Sequence, residues 1–230
     1  MHAAVAARTG AALSAALPSI AVLISGEGTN LQALIDAERA GTLGARITVV
    51  VSNRAAARGL ERARGADIPA EHLPATRGLP REAYDSALAE LLARYAPSVI
   101  VLAGFMRIFT PEFVALFSGR MLNIHPALLP LHRGLDTHRR VLETGDRWHG
   151  ATVHFVTAEL DAGPRIIQYR LPVRPEDTVE TLARRVHVGE HIILPRAVAW
   201  LSAGRLSLAG GQVILDGRVL PEPVVVKEEQ

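Results

Sequence analysis

The sequence predicts an α/β fold built on a doubly wound, mostly parallel sheet, for three reasons. Strand-like and helix-like segments alternate along the chain. The strand-like runs Ile20–Ile24, Ile47–Val51 and Val99–Ala103 are apolar on both faces, as strands covered by helices on either side must be. A chain of 230 residues also suits one such domain with appendages and can bury a substantial core.

The elements follow in order. Ile20–Ile24 reads as the first strand and Asn30–Ala40 as the helix after it. Ile47–Val51 is the second strand, followed by an Ala/Arg helix near Arg54–Arg64. Arg81–Tyr95 carries helical periodicity at Ala83, Leu88, Leu91 and Leu92. Pro97 precedes the strand Val99–Ala103. After about residue 120 the pattern changes, and the strand Met121–Ile124 runs into a Pro-punctuated stretch, HPALLPLHRG. A helix over Thr137–Thr144, two β-like runs (Thr152–Val156 and Arg165–Leu171) and a long amphipathic helix over Thr178–Leu201 complete the domain. The tail from Arg205 to Val225 reads as a small hairpin, with Asp216–Gly217 as its tight turn. Residues 1–19 are Ala-rich and read as a disordered leader, 20–206 as the domain proper, and 207–230 as a hairpin tail packed upon it.

Composition removes several function classes. The chain has no Cys, which excludes a disulfide framework, an iron–sulfur cluster, a thiolate zinc site and a Cys nucleophile. A net charge of +2 signals neither nucleic acid nor membrane. No segment approaches the ~18 apolar residues of a membrane span. The expectation is a cytoplasmic protein acting on small molecules.

Three motifs carry chemistry. The turn Ser25-Gly26-Glu27-Gly28-Thr29-Asn30 imitates the dinucleotide fingerprint but has Leu31 where a third Gly belongs. The second strand ends in Ser52-Asn53-Arg54, with no acid for a ribose hydroxyl. What remains is either a phosphate cradle at a helix N-terminus or a plain turn with Thr29 or Asn30 as N-cap. His187-Val188-Gly189-Glu190-His191 spells a zinc-protease pattern. Gly189 weakens the helix in mid-motif and no third ligand is well placed, so it reads as the polar face of a helix and no metal is expected. In Asn123-Ile124-His125-Pro126, period-two alternation sends Asn123 and His125 to one side of a strand end, where open α/β sheets bind ligands. Asp161-Ala162-Gly163-Pro164 sets an acid in a loop between two β-like runs. Carboxamide, imidazole and carboxylate together form an oxyanion-stabilising set for acyl transfer.

Five ordered motifs then show a resemblance: ISGEGTNLQALIDA (24–37), REAYD (81–85), VLAGFMRI (101–108), MLNIHPALLP (121–130) and HGATVHFVTAELDAGP (149–164). Over about Ile20 to Leu206 the chain resembles the phosphoribosylglycinamide formyltransferases, folate-dependent enzymes of purine biosynthesis with a Rossmann-like formyltransferase fold. The resemblance implies transfer of a formyl group from 10-formyltetrahydrofolate to the amine of glycinamide ribonucleotide, through a tetrahedral oxyanion intermediate. It implies that Asn123, His125 and Asp161 are the catalytic trio, with Asp161 keeping His125 charged. Gly28, Thr29, Asn30, Arg81, Glu190 and His187 are the implied ribonucleotide contacts. Met106, Arg107, Ile108 and Phe109, with Asn123 and the loop Thr157, Ala158, Glu159, Leu160 and Asp161, are the implied folate contacts. It further implies a monomer or homodimer with small-molecule substrates.

The chain departs from that pattern at Leu131-His132-Arg133-Gly134, where members carry Lys-aromatic-Pro-Gly, and at Asp136, where a His is usual. Two relatives share the core chemistry: a formyltetrahydrofolate hydrolase, and a methionyl-tRNA formyltransferase, whose Arg-Gly step resembles Arg133-Gly134. The former carries an extra N-terminal domain and the latter a C-terminal one, for which the leader and tail here are expected to be too short.

Overall fold

The computed structural model describes residues 16–75 and 78–228. Most of the leader lies outside the described residues, and its last residue, Ser19, already belongs to the first strand. Four parallel-paired strands begin the sheet: β1 (Ser19–Ile24), β2 (Arg46–Ser52), β3 (Ala70–His72) and β4 (Val99–Leu102). They are joined by helices α1 (Thr29–Arg39), α2 (Arg58–Arg64) and α3 (Arg81–Ala93). Then come α4 (Pro111–Leu116), β5 (Met121–His125), α5 (Thr137–Thr144), β6 (Trp148–Phe155), β7 (Arg165–Pro172) and α6 (Val179–Ser202).

The eight-stranded sheet runs β11-β7-β6-β5-β4-β1-β2-β3, with β11 (Val224–Lys227) added along one edge. β6 runs antiparallel to both β5 and β7; the other pairings are parallel. Residues of α1, α2 and α6 form one core with Val22, Ile24 and Val50. Tyr84 and Leu88 of α3 and Phe113 of α4 form another with Leu23 and Val51 on the opposite face. Alternate residues of each strand thus serve opposite layers, which is why these strands are apolar throughout.

The chain winds from β1 out to β3, then returns to the other side of β1 as β4. The crevice outside the carboxyl ends at such a reversal is where this architecture holds ligands. The Ser25 hydroxyl locks it together, accepting from the Met106 amide at 2.8 Å and donating to Asn53 Oδ1 at 2.6 Å.

Several sequence expectations need correction. The second helix begins at Arg58, not near Arg54. The short elements β3, α4 and β11 give too few residues for a periodic signal and were not foreseen. The tail is more than a hairpin. Strands β8 (Leu206–Ala209), β9 (Gln212–Leu215) and β10 (Arg218–Val219) form a separate antiparallel sheet, and β11 returns to the main one. The Asp216–Gly217 turn does join β9 to β10, with both residues at positive φ (52° and 74°). No helix among the described residues is long and apolar enough to cross a membrane.

Candidate active site

Asn123 and His125 end β5 on one side, while Ile124 enters the core of the other. Antiparallel β6 sets His154 opposite Asn123 and Thr152 opposite His125. Thr152 fixes the exit of β5. Its hydroxyl donates to the Ala127 carbonyl at 2.6 Å and accepts from the Leu129 amide and the Gln168 side chain. Asp161 arrives from the loop between β6 and β7 at φ 50°, a left-handed conformation that Asp tolerates better than most residues.

These groups close a network. Asp161 Oδ1 accepts from Asn123 Nδ2 at 3.3 Å. Its Oδ2 lies 3.3 Å from His125 Nδ1 and accepts from the Gly134 amide at 3.0 Å. The other nitrogen of His125, Nε2, lies 2.9 Å from the His132 carbonyl. A carbonyl only accepts, so Nε2 donates to it, while Nδ1 faces the Asp161 carboxylate. The side chains of His125 and Asp161 are 6% and 9% exposed, so the pair works in a partly dehydrated site where its attraction is strengthened.

His154 was not foreseen, and it orients Asn123. Burial pushes its imidazole down to about 4, leaving the ring neutral at physiological pH. Nδ1 donates to the Phe155 carbonyl at 2.9 Å, so Nε2 is a lone pair and accepts from Asn123 Nδ2 at 3.1 Å. The amide nitrogen of Asn123 therefore has to face both His154 and Asp161. The signal existed in the β5–β6 register, which is invisible until the two strands are paired. Beside this group, His138 Nδ1 and His149 Nε2 lie 2.9 Å apart. Burial above all lowers these two rings to about 4 and about 3.

The second cluster forms at the start of α1. Gly28, at φ 71°, is the N-cap, and no side chain caps the helix. Thr29 and Asn30 are not the cap, which corrects that alternative. Asn30 instead donates to Glu190 Oε2 at 2.8 Å, uniting α1 with α6. Glu190 is thus turned toward α1, with His187 4.0 Å away and half-exposed. Gly189, taken as a weak point of the helix, lies against the Tyr169 ring instead.

Burial pushes the Glu190 carboxyl up, outweighing the Asn30 hydrogen bond and the fields of His187 and His125. A raised folded-state value means that stability is lost as pH climbs from the ordinary glutamate range, about 4.3, through the raised one. Glu190→Gln removes that loss and keeps an oxygen for Asn30. The variant is expected to gain thermal stability over the parent as pH rises from about 4 to 8. A melting difference that is the same across that range would refute burial as the cause.

The third group borders the β4 end. Met106 and Ile108 are exposed although apolar. The Arg107 guanidinium lies 4.0 Å over the Tyr84 ring, whose hydroxyl is pushed up to about 12, chiefly by burial. The Phe109 side chain is buried in a stack with Phe105 and Phe113, so it serves the floor and not the lip. Opposite stands the loop Thr157–Asp161, where Ala158, Glu159 and Leu160 are exposed and Glu159 pairs with Arg133 at 2.6 Å. Arg81 opens α3, which packs on the other face of the sheet from α1. Asp136 is exposed at the left-handed N-cap of α5.

A mostly parallel sheet with Asn, His and Asp gathered at its strand ends, between a helix start that no side chain caps and an apolar-lipped cleft, is the frame of a formyl transferase. Residues 19–198 match the family model of that description. The phosphoribosylglycinamide formyltransferase of Escherichia coli (strain K12) is 50% identical over 203 residues, which are 88% of this chain and 96% of that protein. That of Haemophilus influenzae is 44% identical over 206 residues, 90% and 97% of the two chains. The solved phosphoribosylglycinamide formyltransferase from Coxiella burnetii superposes with a TM-score of 0.87 at 50% identity, covering 91% of this chain and 99% of its own. A formyltetrahydrofolate deformylase from Pseudomonas syringae shares 27% identity at a TM-score of 0.81, and only 66% of it is covered. The chain belongs to the phosphoribosylglycinamide formyltransferase family.

Proposed function

We propose that this protein transfers the formyl group of 10-formyltetrahydrofolate to the amine of glycinamide ribonucleotide, in the cytoplasm, as a monomer or homodimer. The observation that carries the reading is the meeting of two clusters at the strand ends: Asn123–His125–Asp161 for acyl transfer, and Asn30–Glu190 beside the turn at Gly28. The open N-terminus of α1 offers backbone N–H groups at Gly28, Thr29 and Asn30 to the substrate phosphate. Glu190 and His187 face the ribose and glycinamide side. Met106, Arg107 and Ile108, with the Thr157–Asp161 loop, enclose the folate; the exposed apolar side chains at that cleft suit a flat heterocycle.

The folate supplies the formyl carbon and a nitrogen leaving group. As charge gathers on the formyl oxygen during attack by the neutral amine, Asn123 Nδ2 and Nδ1 of a protonated His125 share with it the N–H groups that now face Asp161. Asp161 holds His125 charged, takes up the proton released by the amine and passes it, through water, to the departing nitrogen. One N–C bond forms, one breaks, and no external acid is consumed. These roles require no metal.

The test incubates the purified protein with 10-formyl-5,8-dideazafolate, with and without glycinamide ribonucleotide, and follows the deformylated product. Release that depends on the ribonucleotide is expected. Equal release without it would replace transfer by hydrolysis, and release in neither case would leave only binding.

A further inference from the structure

We propose that His132 is a positioning residue for His125. Its side chain and its backbone have separate tasks. The ring Nε2 lies 2.6 Å from Asp146 Oδ2, and the same carboxylate oxygen accepts from the Thr144 hydroxyl at 2.8 Å. Asp146 stands in the short connection between α5 and β6, so the ring ties the Leu131–Gly134 segment to that junction. The His132 side chain is 11% exposed. Hydrogen bonds from His132 and Thr144 hold the Asp146 carboxyl below the usual carboxylate range.

The backbone of His132 takes φ 53°, a left-handed conformation disfavoured for a residue that carries a Cβ. The chain needs contacts to hold it there, and the Asp146 tie is one. In that conformation the His132 carbonyl accepts from His125 Nε2 at 2.9 Å. The contact fixes Nε2 as an N–H and fixes the rotation of the ring. Nδ1 is thereby aimed at Asp161 Oδ2, beside the carboxylate oxygen to which Asn123 also donates. The same loop gives the Gly134 amide to Asp161. The segment Leu131–Gly134, where the sequence leaves the family pattern, therefore sets the geometry of two of the three proposed catalytic groups.

This inference rests on the donor role proposed for His125. It is tested with His132→Ala, Asp146→Ala and the double variant, by steady-state kinetics and by imidazole ¹⁵N spectra of histidine-labelled protein. Displacing a catalytic group by an ångström can cost up to ~10² in rate, and about a tenfold fall in kcat is expected with KM for the ribonucleotide little changed. The His125 Nε2–H signal should disappear in all three. The double variant should be no worse than either single one, because both break a single tie. An unaltered His125 signal in His132→Ala, an unaltered kcat, or losses that multiply in the double variant would each overturn the proposal. Full turnover by His125→Ala would instead remove the donor role itself, while the spectra would still report on the His132 contact.

Discussion

His125→Ala and Asn123→Ala are each expected to lower kcat by about 10²–10³, the usual cost of one oxyanion donor, while both variants still bind the ribonucleotide. The separation of effects follows from the geometry. Both donors belong to the network around Asp161, whereas the Asn30–Glu190 contact joins different elements. The side chains are also held by different scaffolds, the β5–β6 pair in one case and α1 with α6 in the other. Single-turnover rates and ribonucleotide titration of each variant check this directly. Near-normal turnover would sink the donor assignment; lost ribonucleotide binding with unchanged single-turnover chemistry would move the residue to the acceptor pocket. His154→Ala makes a useful comparison, because it removes the lone pair that orients Asn123 while leaving both donors in place.

Much of this was legible in the sequence, for identifiable reasons. Asn123 and His125 are two apart on a strand ended by Pro126, so period-two geometry places them together without knowledge of the rest of the fold. The apolar strands β1, β2 and β4 declare a sheet covered on both faces. Asp161 was visible as an acid in a Gly/Pro loop, though not the distances that make it the hub. What escaped depends on pairing between distant segments. His154 becomes a partner of Asn123 only through the antiparallel register of β5 and β6. His132 has meaning only once its carbonyl is seen to reach His125. The strand β11 was missed because a four-residue edge is completed by the strand it joins, β7.

Gly189 sharpens the same lesson and gives the second large effect. On helix propensity alone, Gly189→Ala should stabilise α6 by about 1 kcal/mol. Packing points the other way. A Cβ at this position would lie 1.9 Å from Tyr169 Cδ1 and 2.2 Å from Cγ. Cγ is the root of the ring, so a small rotation of the side chain does not clear it, and Tyr169 is buried in β7. Helix and strand must separate, and overpacking of this kind costs about 1–3 kcal/mol or more. The steric term exceeds the propensity gain. At the upper end of that range, less the propensity gain, a chain of this size loses about 4–8 °C in Tm. Because Glu190 is the next residue, a displaced α6 also shifts the partner of Asn30, and KM for the ribonucleotide should rise more than kcat falls. Thermal melts and kinetics of Gly189→Ala test both parts, and a Tyr169→Val background, which opens space for the methyl, should shrink the loss. A Gly189→Ala protein that melts above the parent would show that α6 is limited by propensity and not by its approach to β7.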